Sequence, residues 1–234
     1  MNEVIIHHHL GLGDHFICNG LVNYISNESK IYLICKESYS ETINSLYSDS
    51  FNVNPIFLYD DSYQGEFDQV NQIQNILKKD ILRIGFHNID HSRFDRIFYD
   101  RISMPFEYRY SMFKLPRVNQ TSIKLFQSLS QGQEYALVHR QSSEGSYNIN
   151  ITSNLKIIDI DFTVTRNMLN WVDMIKNASE IHCVPSSFFC LVDSMSTQLK
   201  GDLFYHDIRK GTLINPNNEY NKNVWKIVTY DTKL

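Results

Sequence analysis

Four places in the sequence group residue types that could do chemistry. The first is Gly11-Leu12-Gly13-Asp14, between an apolar run and an amphipathic stretch. A glycine-rich turn there lets a ligand approach the backbone, and a helix N-terminus favours negative charge. Asp14 reads in two ways. It could cap its helix, or it could project from the carboxyl edge of a sheet, where open α/β sheets bind ligands. In the second case it could take a proton from a hydroxyl nucleophile. The second place is the segment 181–188, in which Pro185-Ser186-Ser187 follows an apolar strand. Its two hydroxyls and the unpaired N–H groups of a helix start either cap that helix or receive phosphate oxygens. The third is His139-Arg140 and the fourth His206-Asp207-Ile208-Arg209-Lys210, each closing a further apolar run. Singly these read as surface or packing residues. Together with the Ser-Ser helix start they describe a pocket for a diphosphate.

Other chemistries have less support. The dinucleotide fingerprint GxGxxG needs glycine where Phe16 stands, and the second strand ends on Lys36 before Glu37 rather than on the expected acid. His7, His8, His9 and Cys18 lack a second ligand pair at a recognised zinc spacing, so no metal is expected. No GxSxG elbow supports a serine triad. The four cysteines, Cys18, Cys35, Cys183 and Cys190, lie in apolar stretches without a CxxC pair and read as reduced core residues.

The elements that must position these groups alternate. Residues 3–8, 31–35, 53–59 and 81–86 read as strands; 14–24, 38–47 and 68–77 read as helices. Ile17, Leu21 and Ile25 repeat at helical spacing. Such alternation implies parallel sheets with right-handed crossovers. From Phe94 to Phe113 aromatic residues crowd together, serving either core packing or acceptor binding near Glu107 and Arg109. The polar stretch 116–120 marks a domain boundary. The alternation then restarts, with strands at 135–139, 156–160, 180–184 and 202–206 and helices at 122–129, 168–178 and 188–195. The expected architecture is α/β: two Rossmann-like domains, 1–116 and 117–234, facing a cleft.

Composition agrees with this reading. The 234 residues carry 22 Lys+Arg against 26 Asp+Glu, a net charge of −4, which excludes a basic coat for nucleic acid. With 42% hydrophobic and 13% aromatic residues, the chain is not a disordered one. No apolar run approaches the roughly 20 residues of a membrane span, and no basic segment leads into an apolar one at the N-terminus. A cytoplasmic, soluble protein is expected, with peripheral membrane association the closest approach to a bilayer.

The segment from His8 through Gly11-Leu12-Gly13-Asp14-His15 to Val22 resembles the opening of small bacterial GT-B-type glycosyltransferases, related to the ADP-heptose:lipopolysaccharide heptosyltransferases of glycosyltransferase family 9. Phe98-Tyr99 with Pro105-Phe106-Glu107-Tyr108-Arg109 is similar to a middle motif of these proteins, and residues 178–193 are similar to their donor-site segment. The resemblance implies a compact GT-B fold, with acceptor binding in the first domain around Gly11, Gly13, His15, Glu107 and Arg109. It implies a nucleotide-sugar donor in the second domain. Asp14 would be the base. His139, Arg140, Ser186, Ser187, His206 and Arg209 would hold the donor.

The implied activity is inverting, metal- and cofactor-independent transfer of a sugar to a glycan hydroxyl, in lipopolysaccharide or other surface polysaccharide synthesis. Two other classes compete with it: a non-catalytic nucleotide-binding module, and an NAD(P)-dependent enzyme. The transferase would bind a nucleoside diphosphate against Ser186 and Ser187, whereas the dehydrogenase would bind its cofactor at Gly11 and Gly13.

Overall fold

A computed structural model describes residues 2–60, 62–86, 93–208, 214–221 and 224–230. The chain divides into two compact units, Met1–Arg117 and Val118–Leu234. Each is a parallel sheet with helices in its crossovers.

In the first unit, β1 (Asn2–His8) leads into α1 (Leu12–Ile25), then β2 (Ser29–Lys36), α2 (Ser40–Leu46), β3 (Val53–Leu58), α3 (Tyr63–Leu77) and β4 (Asp80–Ile84). The sheet order is β3-β2-β1-β4, all parallel. The central strands are apolar on both faces because helices cover both, as parallel sheets require. Helix α1 is buried nearly all round. Pro55 lies in β3, an edge strand, where a missing N–H is tolerated. Ile5, Leu10, Ile34, Leu58 and Val70 form a core between the sheet and α3.

The aromatic stretch becomes α4 (Phe94–Asp100) and α5 (Tyr108–Ser111). Phe98, Tyr99, Phe106, Tyr110 and Phe113 are buried, and the Tyr99 hydroxyl donates to the Ile17 carbonyl at 2.7 Å. Packing therefore accounts for most of this aromatic content.

In the second unit, α6 (Gln120–Ser130) precedes β5 (Tyr135–His139), β6 (Gln141–Ser142), β7 (Gly145–Ser146), β8 (Lys156–Asp159), α7 (Val172–Asn177), β9 (Glu180–Cys183), α8 (Ser187–Met195), β10 (Asp202–Asp207) and β11 (Trp225–Thr229). The main sheet runs β11-β10-β9-β5-β8, all parallel. The β5–β8 crossover carries a small antiparallel hairpin, β6–β7, in place of a helix.

Several elements differ from the sequence expectation. Helix α3 begins at Tyr63 rather than Asp68, because Ser62 caps it by accepting from the Gly65 N–H. The stretch 168–178 divides into a 3-10 turn, Met168–Trp171, and α7. Strand β11 was not foreseen; its exposed edge residues weaken the apolar pattern, while Trp225 anchors it by donating to Asp193 at 2.9 Å. The four cysteines are buried thiols.

Candidate functional site

In an open parallel sheet, ligands meet the carboxyl edge where the strand order reverses. In the first sheet that point lies between β1 and β4, and in the second between β5 and β9. The segments that end β1, β5 and β9 are those singled out from the sequence.

From β1 the chain runs through His9 and Leu10 to Gly11, the N-cap of α1, in extended conformation. Asp14 is the third helical residue, so it is not the cap itself. Its carboxylate reaches back to the Gly11 backbone N–H. A Cβ on Gly11 would stand 2.7 Å from Asp14 Oδ2. The glycine therefore makes room for this carboxylate rather than for a ligand.

His9 Nδ1 lies 3.7 Å from Asp14 Oδ2, with the His9 side chain 45% exposed and that of Asp14 12% exposed. Burial raises the Asp14 pKa, while His9 and the Gly11 N–H pull it back. The same carboxylate raises the pKa of His9. A nearly buried carboxylate of raised basicity, with a rim-exposed imidazole beside it, can accept a proton at neutral pH.

His9 was not among the expected site residues. Its signal was positional: it sits five residues before Asp14, across the turn that closes β1.

The other expected first-unit residues are placed as follows. Gly13 is in the first turn of α1. His15 is fully buried, edge-to-face on His8 with ring centroids 4.4 Å apart, and neither of its ring nitrogens has a hydrogen-bond partner among the described residues. Burial holds its pKa well below the usual value. One helical step past Asp14, it faces the sheet rather than the edge. Glu107 is exposed. Arg109, expected to meet an acceptor, is fully buried, ion-paired with Asp95 and close to the Phe106 and Tyr110 rings. A buried arginine committed to a carboxylate holds its helix in place and is not offered to a ligand.

In the second unit, Ser186 caps α8, its Oγ accepting from the Phe189 N–H at 3.1 Å. That oxygen also lies 3.0 Å from the Val184 carbonyl and 3.2 Å from His139 Nδ1. Ser187 is the first helical residue and is half-buried. His139 is buried, stacked on Phe188 at 4.9 Å, and burial pushes its pKa down to about 3. It is therefore neutral at pH 7. It positions Ser186 and carries no charge to an anion.

Arg140 donates to Asp159 at 2.7 Å and to the Ile149 carbonyl at 3.0 Å, tying the ends of β5 and β8 together. His206, expected at the donor, is fully buried on the opposite sheet face. Its Nε2 is 3.0 Å from His182 Nδ1 and its Nδ1 2.6 Å from the Tyr230 hydroxyl. Strand alternation separates the faces: His139 is in register with Cys183, while His182 is in register with Val138. Arg209 lies outside the described residues.

Among the described residues, no three His, Cys, Asp or Glu side chains group as metal ligands would, and no helix is long and apolar enough to cross a membrane.

No protein-family model matches the sequence, and no curated protein matches it. Solved structures do match. The glycosyl transferase family 9 protein from Veillonella parvula DSM 2008 aligns at a TM-score of 0.60, with 6% identity, over 98% of this chain and 86% of that one. The ADP-heptose lps heptosyltransferase II of E. coli aligns at 0.53, with 9% identity, over 97% of this chain and 90% of that one. At these identities the likeness is one of fold. This chain has the α/β fold of those proteins, built from two Rossmann-like units, as the sequence resemblance implied.

Proposed function

We propose that this protein is a glycosyltransferase that moves a sugar from a nucleotide-sugar donor to a glycan hydroxyl, with inversion and without an essential metal. The fold shared with a family 9 glycosyltransferase and a heptosyltransferase supports a place in lipopolysaccharide or related surface-polysaccharide synthesis. The observation that carries the reading is Asp14: a carboxylate 12% exposed, held by the Gly11 N–H beside His9 at the strand-order reversal of its sheet.

In this mechanism the acceptor oxygen attacks the anomeric carbon while its proton passes to Asp14. The bond from that carbon to the diphosphate breaks, and its electron pair leaves with the nucleoside diphosphate. Asp14 then passes that proton to His9, 3.7 Å away and half exposed, which releases it to solvent and restores the carboxylate. Ser187 and the N–H groups opening α8 receive the diphosphate, with Ser186 fixing the helix start through His139. Arg140, just past β5, is paired with Asp159 and the Ile149 carbonyl, so the diphosphate is held mainly by the helix start. Donors fixed in advance of the reaction stabilise the leaving group without a cation.

The filled space at Gly11 weighs against a dinucleotide pressed onto that turn. A thermal-shift panel of UDP-, GDP-, ADP- and CMP-sugars identifies the donor, because stabilisation rises with occupancy. With that donor, Asp14→Asn should lower the transfer rate roughly 10²–10⁴-fold while the donor-induced thermal shift persists. Unchanged turnover would remove Asp14 as the base. Binding of every nucleotide without any transfer would leave a non-catalytic module.

A further inference from the structure

A row of aromatic rings along the carboxyl edge of the first sheet leads to the His9–Asp14 pair, and its phenyl and phenol rings take no part in the chemistry above. Tyr63 meets Phe67 at 4.9 Å between centroids, Phe67 meets Phe86 at 5.3 Å, Phe86 meets His9 at 5.6 Å, and His9 meets Phe94 at 5.9 Å. The row is fixed from below. His7, fully buried, packs on Phe86 at 4.5 Å and on Phe67 at 5.4 Å, and Glu66 holds its Nε2 at 2.8 Å. The outer end is open, with Tyr63 75% exposed and neighbouring Tyr59 83% exposed. The inner end is His9, which touches Asp14.

Exposed aromatic surface rigidly held beside a reactive carboxylate calls for an occupant. Sugar rings suit it: one face of C–H groups packs on aromatic rings while the hydroxyl edge reaches polar groups. Charge narrows the class further. Among the described residues, the carboxylates of Asp14 beside His9, of Asp60 at the start of α3 and of Glu66 on His7 stand along this row, against Lys36 near His9 and an Arg93 that pairs with Asp100 at 3.6 Å. This balance repels phosphate and carboxylate groups on a ligand.

Resting on the transferase reading, we propose that the acceptor is an uncharged oligosaccharide whose rings stack along Tyr63, Phe67 and Phe86, directing one hydroxyl to Asp14. Immobilised neutral hexose and heptose oligosaccharides, and counterparts bearing phosphate or uronic acid, would be probed with the full chain. The variants are Tyr63→Ala, which removes an exposed ring, and Phe51→Ala as a control, 99% exposed in the loop that enters β3. The expected result is preference for neutral glycans, weakened roughly five- to tenfold by Tyr63→Ala and unchanged by Phe51→Ala, at equal melting temperatures. Preference for the charged glycans, equal binding by Tyr63→Ala, or no glycan retained would overturn the proposal. Glycan binding is read without turnover, so a failed transfer assay sinks the transferase reading and leaves the aromatic strip to stand or fall on this test.

Discussion

At the scale of single residues, the β1–α1 turn illustrates how a motif is read correctly in place and differently in purpose. Gly11 and Asp14 were both legible as candidates, because glycine followed by an acid at a helix start is a recognisable pattern. The use made of the glycine was not legible. Its φ of −65° is open to any residue, and only the missing Cβ matters, since the Asp14 carboxylate occupies that space. Gly11→Ala should therefore leave the fold intact and move the carboxylate. We expect a melting temperature within a few degrees of the parent, and transfer reduced roughly 10²-fold, as for misplaced reacting groups. Parental turnover in that variant would mean that Asp14 need not sit where it does. His9 escaped notice because its partnership crosses a turn, and sequence spacing does not give the path of a turn.

At the scale of elements, α1 is held from behind by α5. A Cβ on Gly20 would come 1.9 Å from the Tyr108 carbonyl oxygen, so the two backbones touch. Arg109 enters this contact fully buried and pairs with Asp95 of α4, whose carboxyl burial raises in pKa against the pull of Arg109 and Arg96. The sequence placed Arg109 beside an aromatic cluster but could not say whether that cluster faced a ligand or a core. Removing one partner of a buried pair strands the other charge. Asp95→Ala should therefore cost about 3–5 kcal/mol in chemical denaturation, with α1 and its active carboxylate loosened together. A loss below about 1 kcal/mol would show the pair to be solvated and peripheral. In the second unit, α8 shows the opposite balance: its start at Ser187 was legible from Pro-Ser-Ser, while the His139 contact that fixes Ser186 required β5 and β9 to be neighbours.

At the scale of the whole molecule, both units bury neutral histidines. Burial lowers His8 to about 4, His139 to about 3 and His206 to about 4, from an ordinary 6.5. A histidine whose folded pKa lies below its unfolded value takes its proton more readily when unfolded. Each therefore withdraws stability as pH falls from 6.5 towards the folded value, and none does so above 6.5. At pH 5 the cost is roughly 2 kcal/mol per histidine. Asp14 and Asp95, raised by burial, act in the opposite direction and only as they take up protons themselves. The melting temperature should fall steadily between pH 7 and pH 5. A flat or rising profile would mean that these imidazoles reach water.

Periodicity in the sequence determined the α/β class, most strand and helix positions, and the strand ends where chemistry could gather, because alternation and apolar spacing are local properties of a chain. Only the tertiary structure decided which strands are neighbours, and with that which side chains share an edge. Register put Ser186 beside His139 and turned His206 to the other face. Backbone contact buried Arg109, and an empty Cβ position seated Asp14. The reason is physical: burial, pairing and pKa depend on atoms brought together from distant parts of the chain, and no local pattern records that meeting.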